Sequence, residues 1–311
     1  MIMGFIDQMR AKGHAVESIC RVLRQEGCQI AARTYRAWRR RSASARDTSD
    51  AVLLNVLHDL VGTPEGLYGR RKMTAWLRRE GHQVGAGRVD RLMRVAGMNG
   101  VRRGRPVRTT VPAKDGCRAG DLLNRDFTAA APNTKWVADF TYVRTWAGFV
   151  YVAFVLDCYS QRILAWHAAT AKTTPLVLTP LRIALWDCDR HGHPVQPGEL
   201  IAHSDAGSQY TSLRFAEHLA AEGIAASIGT VADAYDNALM ECVIGLYKTE
   251  CITTTIFHNG PYKTIADVEY ATAGWVEWYN NRRLHSSLAM TTPAEYETAY
   301  YAALNRELAP A

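Results

Sequence analysis

The sequence has no cysteine pairs, no long apolar run and, in its first third, few acids. Its seven cysteines stand at positions 20, 28, 117, 158, 188, 242 and 251, and none forms a Cys-x-x-Cys pair. An odd, scattered set argues against a disulfide framework or a thiolate zinc site and fits reduced thiols. No apolar stretch reaches the roughly 18 residues that a membrane span needs. Asp7, Arg10 and Lys12 break up the start of the chain, so it lacks the layout of a signal peptide. The expectation is a soluble, intracellular protein.

What is present is uneven in charge. The net charge is +7, but residues 1–118 carry 24 Lys and Arg against 10 Asp and Glu, and residues 119–311 carry 13 against 20. A basic front half on an acidic back half points to a polyanion-binding module joined to something else; the competing reading is a solvated basic surface. At 311 residues the chain is long enough for two or more domains.

Val16, Ile19, Cys20 and Leu23 recur at helical spacing, Gly27 stops that helix, and Thr34, Tyr35 and Trp38 belong to a second helix rich in arginine. The pair suits a helix-turn-helix. The pattern then returns. Leu23-Arg24-Gln25-Glu26-Gly27-Cys28-Gln29 resembles Leu77-Arg78-Arg79-Glu80-Gly81-His82-Gln83 in register, which reads as an internal duplication or as chance similarity of two amphipathic helices. The second copy offers Arg88, Arg91 and Arg94 as exposed cations. Arg102, Arg103 and Arg105 follow in what reads as a flexible basic linker, able to lie along phosphates.

From residue 135 the periodicity changes. Strands are predicted over 136–144, 149–156, 162–169, 200–203 and 224–228, with helices over 174–189 and 213–222. This order argues an α/β layer with a mixed five-stranded sheet and flanking helices, preceded by an all-α helix-turn-helix region. The expected divisions are 1–60 (helix-turn-helix-like), 61–108 (second helix-turn-helix and basic linker), 125–260 (core) and 261–311 (helical extension).

Three carboxylates carry the chemistry. Asp139 lies within an apolar strand, where a charge is unfavourable unless paired or bound to a cation. Asp205 sits where a strand yields to Ala206-Gly207-Ser208, and Glu241 is on a helix. On a wheel of about 100° per residue, Asn237 and Glu241 fall within about 40° and Lys248 lies between them. Leu239, Val243 and Leu246 form an apolar stripe, and Asp236 is placed to cap the helix. Asp157 and Asp233 read as turn or cap residues. Converging carboxylates repel by roughly 4 kcal/mol per pair at about 4 Å and an effective dielectric near 20, so three would not assemble cheaply without a proton or a cation. All-oxygen ligands select Mg²⁺ or Mn²⁺, as two ions acting on a phosphodiester.

Trp136, Asp139, Thr141 and Tyr142; the run His203-Ser204-Asp205 with Gly207, Ser208, Gln209 and Tyr210; and Asp236-Asn237-Ala238 with Glu241 and Lys248 together resemble the DDE transposases of bacterial insertion sequences. More narrowly, the chain is similar to their orfB-type subunit, with its retroviral-integrase-like catalytic core. Trp275-Val276-Glu277-Trp278-Tyr279-Asn280 with Arg283, His285, Leu288, Thr292 and Pro293 matches the family's C-terminal signature, and Tyr68-Gly69-Arg70 its N-terminal helix-turn-helix. One departure is the stretch 229–235, which is more basic in many relatives.

The resemblance implies a ribonuclease H-like fold in which the strands bearing Asp139 and Asp205 are neighbours. It implies metal-dependent cleavage at element ends and strand transfer into target DNA, in the bacterial cytoplasm at the nucleoid. Asp139, Asp205 and Glu241 would be catalytic and metal-binding. Lys248, Asn237, the arginines above, Arg283 and His285 would contact DNA. A homo-oligomer and an upstream orfA-type partner or fusion are also implied. Two other readings are a metal nuclease of the same fold that does not rejoin strands, and a catalytically silent DNA-binding regulator. A last helix is expected from the capping box Thr292-Pro293-Ala294-Glu295.

Overall fold

The computed structural model describes residues 2–102, 122–123, 126–205, 207, 209–229 and 237–308. Arg103, Arg105, Asp233 and the proposed cap Asp236 lie outside the described residues. The chain divides into two compact units, residues 1–56 and 57–311.

In the first unit α1 (Ile2–Ala11), α2 (Val16–Gln25) and α3 (Ala32–Arg40) close around Ile6, Ile19, Cys20, Ile30 and Tyr35. The Tyr35 hydroxyl donates to Asp7 at 2.5 Å and accepts from Arg10 at 3.2 Å, which satisfies a polar group at the edge of that core. Helix α1 was not anticipated from the sequence. Gly27 turns the chain out of α2 with φ 84°, a value that costs glycine little, and the Cys28 amide returns to the Leu23 carbonyl at 2.8 Å. Helix α4 (Ala45–Asp59) follows.

The second unit repeats the hairpin. Helices α5 (Arg70–Arg79) and α6 (Ala86–Val95) begin fifty-four positions after α2 and α3. Gly81 takes φ 90°, and the His82 amide returns to Leu77 at 2.9 Å. Val84 and Val89 are buried where the first copy buries Ile30 and Tyr35. The shared register thus extends from sequence to turn geometry and core positions, as a duplication requires. Of the arginines on α6, Arg94 is exposed and paired with Asp90, while Arg88 and Arg91 are half-buried; Arg102 is exposed.

The sheet has the order β3-β2-β1-β4-β5, built from β1 (Lys135–Thr145), β2 (Gly148–Asp157), β3 (Ile163–Ala169), β4 (Ile201–Ser204) and β5 (Ala225–Ile228). The first three are antiparallel, and β4 and β5 run parallel to β1. One face is covered by α7 (Thr174–Arg190) and α8 (Leu213–Ala221) through Trp136, Val155, Leu176, Leu181, Phe215 and Leu219. The other meets α9 (Ala238–Leu246), the π-turn Tyr247–Ile252 and α10 (Ile265–Asn281). There Phe154 lies edge-on to Tyr247 at 5.1 Å and Trp275 at 6.2 Å. Strand β2, covered on both faces, is accordingly apolar from Val152 to Leu156. Asp157 ends β2 as a turn residue, accepting from the amides of Asn133 and Ser160 and from the Ser160 hydroxyl. Burial pushes its carboxyl up to about 6 against those donors.

A buried polar anchor ties the second hairpin to the C-terminal helices. Arg283 donates to Glu250 from Nε at 2.9 Å and from Nη2 at 2.6 Å, with both side chains almost fully enclosed. The Tyr68 hydroxyl accepts from the Leu284 amide at 3.0 Å, and the Tyr68 ring stacks on Trp278. Trp278 Nε1 donates to Glu65 at 2.9 Å. Lys72 is pushed down to about 7 by burial and then by Arg283 beside it, with Glu250 opposing. Helix α11 (Pro293–Leu308) starts at the expected capping box: the Thr292 amide donates to Glu295 and the Glu295 amide to the Thr292 hydroxyl. Arg79 pairs with Glu295 from the hairpin side.

This anchor corrects the expectation that Arg283 and His285 meet DNA. Arg283 is committed to Glu250, and His285 is buried with Nε2 3.2 Å from the Tyr279 carbonyl. Neither reaches the surface, because the aromatic residues of the same motif enclose them. Arg282 is the exposed cation of the group, and it pairs with Glu277.

Removing one partner of a buried ion pair leaves an uncompensated charge. Glu250→Gln or Arg283→Met is expected to cost about 3–5 kcal/mol in urea unfolding, and the double change Glu250→Leu/Arg283→Met clearly less than the sum of the two. A second prediction concerns pH. Burial first, then Arg283 and Lys72, hold His285 well below its ordinary value near 6.5. As pH falls below about 6.5 the unfolded chain takes a proton that the fold refuses, so this contribution is present above that pH and lost beneath it. Stability should fall with a slope of up to about 1.4 kcal/mol per pH unit from this group, and His285→Gln should flatten that slope in unfolding curves measured between pH 7.5 and 5.

Candidate active site

The parallel pairing of β1 and β4 builds the site. Ala138 is in register with Ser204, so Asp139 and Asp205 occupy the next rung, where β4 ends. The Phe140 amide donates to Asp139 Oδ1 at 2.7 Å, and the Gly207 amide to Asp205 Oδ1 at 3.1 Å. A Cβ at Gly207 would lie 3.0 Å from Asp205 Oδ1, so a side chain there would press on that carboxylate. His203, the first residue of the motif, is buried with Nδ1 2.8 Å from the Ser227 hydroxyl on β5, so it braces the sheet.

Burial raises the Asp139 carboxyl well above the usual range, and Asp205 beside it raises it further. The Phe140 amide opposes this, Glu241 adds to it, and Lys248 opposes it. Asp205 is also raised by burial, against the Gly207 amide and His203. Both carboxylates therefore carry an electrostatic cost that a nearby cation would relieve.

Helix α9 closes the site from the side. Asn237 stands at its N-terminus and donates from Nδ2 to the Ala138 carbonyl at 3.2 Å, which fixes the helix end against β1 one residue from Asp139. Glu241, one turn on, is exposed. Lys248 is exposed as well and lies with Nζ 5.2 Å from the centre of the Tyr142 ring. Burial lowers its ammonium from the ordinary value, while Asp139 raises it. Asn237, Glu241 and Lys248 thus face one end of β1. The packing stripe of the helix is shifted from the expected one: Met240, Val243 and Tyr247 are fully buried, while Leu239 and Leu246 are half-buried. The helix also leaves α-geometry at Tyr247, where the Thr253 amide reaches back five residues to the Lys248 carbonyl at 3.0 Å.

Among the described residues, no three Asp, Glu, His or Cys side chains are grouped tightly enough to hold one ion between them. Asp139 and Asp205 adjoin, and Glu241 acts on Asp139 through its field. That falls short of the expected three-way convergence, as repulsion between like charges would dictate.

The sequence reading named Tyr210 as part of a motif but gave it no role. Its ring stacks on Phe140 and meets Phe215 edge-on, and its hydroxyl is enclosed without a hydrogen-bond partner among the described residues. Burial, then Asp139 and Asp205, raise that hydroxyl far above its ordinary value. Asn237 Oδ1 is a second enclosed oxygen without a partner among the described residues. Two unsatisfied oxygens flanking a carboxylate pair are what a hydrated cation would complete. Their signal in the sequence was membership of the motifs, which says nothing about burial.

Comparison with known proteins agrees with this architecture. Two integrase core domain models match residues 129–234 and 222–293, and an HTH-like domain model matches residues 52–106. The chain is 44% identical over 280 residues to a putative transposase for insertion sequence element IS986/IS6110 of Mycobacterium tuberculosis, covering 90% of this chain and 99% of that one. It is 44% identical to the transposase of IS629 from Shigella sonnei, covering 85% of each, and 32% identical to the putative transposase InsK of IS150 from Escherichia coli, covering 76% and 79%. A solved structure of the HTLV-2 integrase catalytic core domain in complex with magnesium is similar at 17% identity and a TM-score of 0.40, covering 54% of this chain and 98% of that one. No helix among the described residues is long and apolar enough to cross a membrane. The extent and identity of these matches show that the chain belongs to the insertion-sequence transposases, polynucleotidyl transferases built on an integrase catalytic core.

Proposed function

We propose that the protein cuts DNA at the ends of its element and joins them to target DNA at Asp139, Asp205 and Glu241. The observation that carries this reading is the pairing of two half-buried, mutually repelling carboxylates where β4 ends beside the middle of β1, with a third carboxylate and a lysine on the helix beside them. A repelling, all-oxygen set suits Mg²⁺ or Mn²⁺, and two ions are the arrangement such a set serves in phosphodiester chemistry. When bound, divalent cations supply charge neutralisation and lower the pKa of a water or a 3′-hydroxyl. Asp139 and Asp205 would hold them from the sheet, and Glu241 from the helix.

The remaining groups orient the strand. Lys248 offers a cation to a phosphate of the DNA, close enough to Asp139 for their charges to interact. Asn237 holds the start of α9 to β1 and so sets the position of Glu241. The exposed Arg94 and Arg102 lie on the hairpin side of the same unit and would add sequence-blind affinity that falls with salt; Arg88 and Arg91 are candidates from the same helix, and Arg103 and Arg105 from the stretch that follows. We further propose that the active form is a homo-oligomer and that an upstream orfA-type product, separate or fused, completes end recognition in the bacterial nucleoid. The domain scheme 1–60, 61–108, 125–260 and 261–311 fits this division of labour.

The test is strand transfer on a labelled element-end duplex with Mg²⁺ or Mn²⁺, comparing wild type with Glu241→Gln. The wild type should yield joined product, and the variant should lose roughly a hundredfold or more, the scale of removing one electrostatic stabiliser of a transition state. Nicking without joining, with the upstream product added, would point to a nuclease. Binding without cleavage by the wild type would point to a regulator.

A further inference from the structure

The β1–β2 hairpin carries an aromatic surface that the proposed chemistry does not use. Trp146 at its tip is 72% exposed, Phe149 49% and Tyr142 43%. Rings of this size are normally buried, and here three lie on one hairpin. Tyr142 and Phe149 are diagonal neighbours across the strand pair and meet edge to face at 5.3 Å. The exposed Arg144 pairs in register with Phe149.

Cations accompany the rings. Lys248 lies over Tyr142, and Lys263 Nζ is 5.5 Å from the centre of Trp146. The hairpin tip is also held in place: the Trp146 amide donates to the Tyr262 carbonyl at 3.1 Å and the Ala147 amide to the Lys263 carbonyl at 3.0 Å. Tyr262 is itself anchored through its hydroxyl to the Cys251 carbonyl. A fixed row of exposed rings interleaved with ammonium and guanidinium groups is what binds an unpaired nucleic-acid strand, with bases on the rings and phosphates on the cations. A fully paired duplex hides its base faces. An apolar protein partner would have to strip water from three cations to reach the rings.

We propose that Tyr142, Phe149 and Trp146, with Arg144, Lys248 and Lys263, form a stacking platform for unpaired nucleotides of the DNA strand held at Asp139 and Asp205. The inference rests on the functional reading above and extends it to the state of the substrate, which is an opened rather than a fully paired end. Tyr142 is three residues from Asp139 and therefore on the other face of β1; Lys248, over the Tyr142 ring and close enough to Asp139 for their charges to interact, links the two around the strand beyond the end of β4.

The test measures binding of the full chain, in EDTA and at fixed salt, to two labelled element-end duplexes: one fully paired, one with its three terminal pairs replaced by mismatches. The wild type should bind the opened end more tightly. Trp146→Ala should lose about fivefold or more on the opened end and little on the paired one, and Trp146→Phe, which keeps a ring, should retain most of the difference. Equal loss on both duplexes, no loss on either, or no wild-type preference for the opened end overturns the platform. A drop in sedimentation mass on Trp146→Ala also overturns it, by assigning the rings to an interface between copies of the chain. Failure of the wild type to bind either duplex, with the upstream product added, overturns the underlying functional reading together with the platform.

Discussion

Everything at the site depends on the parallel pairing of β1 with β4. That pairing sets two acids on one rung, at the point where the shorter strand ends and the chain is released into a loop. A parallel neighbour requires a long crossover, and α7 supplies it while covering the opposite face of the sheet. The acids are thus brought together by a framework whose stability comes from apolar packing elsewhere. Their repulsion is carried by the whole α/β layer, which is how a fold can hold a locally unfavourable cluster in readiness for a cation.

The helix that bears Glu241 is held at both ends. At its start, Asn237 bonds to the backbone of β1. Beyond its end, the π-turn brings Glu250 into the buried pair with Arg283 and turns Tyr247 toward Phe154 and Trp275. Lys248 lies between, preceded by the buried Tyr247 and followed two residues on by the buried Glu250. The lysine is therefore presented from a rigid segment although its own side chain is exposed. The same pair, with Tyr68 and Trp278, joins the second helical hairpin to the core. A buried ion pair contributes little net stability compared with apolar replacements of the same volume, so its value here lies in fixing one arrangement of three elements.

Much of this was legible in the sequence, and the reasons are local. Alternation and apolar runs located all five strands to within a residue or two, because each strand is bounded by turn residues. Gly27 and Gly81 marked both hairpins, since the turn needs positive φ. The fate of Arg283 and His285 was not legible. A cation in an aromatic motif reads alike whether it faces solvent or a buried acid, and the acid, Glu250, lies thirty-three residues away in sequence. The π-turn was missed for a related reason. A wheel of constant pitch cannot register an inserted residue. The misplaced stripe has a separate cause: Leu239, Met240, Val243, Ile244 and Leu246 make α9 apolar on more than one face, so periodicity alone does not choose Met240 over Leu239 for burial. Helix α1 and the isolated hydroxyl of Tyr210 depend on which surfaces meet, and single-chain periodicity does not encode that.

The duplication bears on how the two units came to differ. Both hairpins keep the turn and the core positions, yet their solvent-facing chemistry diverges. In the first copy, Arg33, Arg39 and Arg40 point outward from α3, and Trp38 is exposed among them. In the second, Arg79 is drawn into a pair with Glu295 and Lys72 is half-buried against Tyr68, so part of the basic surface is spent on attachment to the C-terminal helices. A repeated element needs its core and turn to fold, and nothing in that requirement constrains its outer face. One copy could therefore become a fixed part of the larger unit while the other kept its cations for solvent and polyanions. The large excess of basic residues before position 118 is then a property of two surfaces with different duties, which a single net charge cannot reveal.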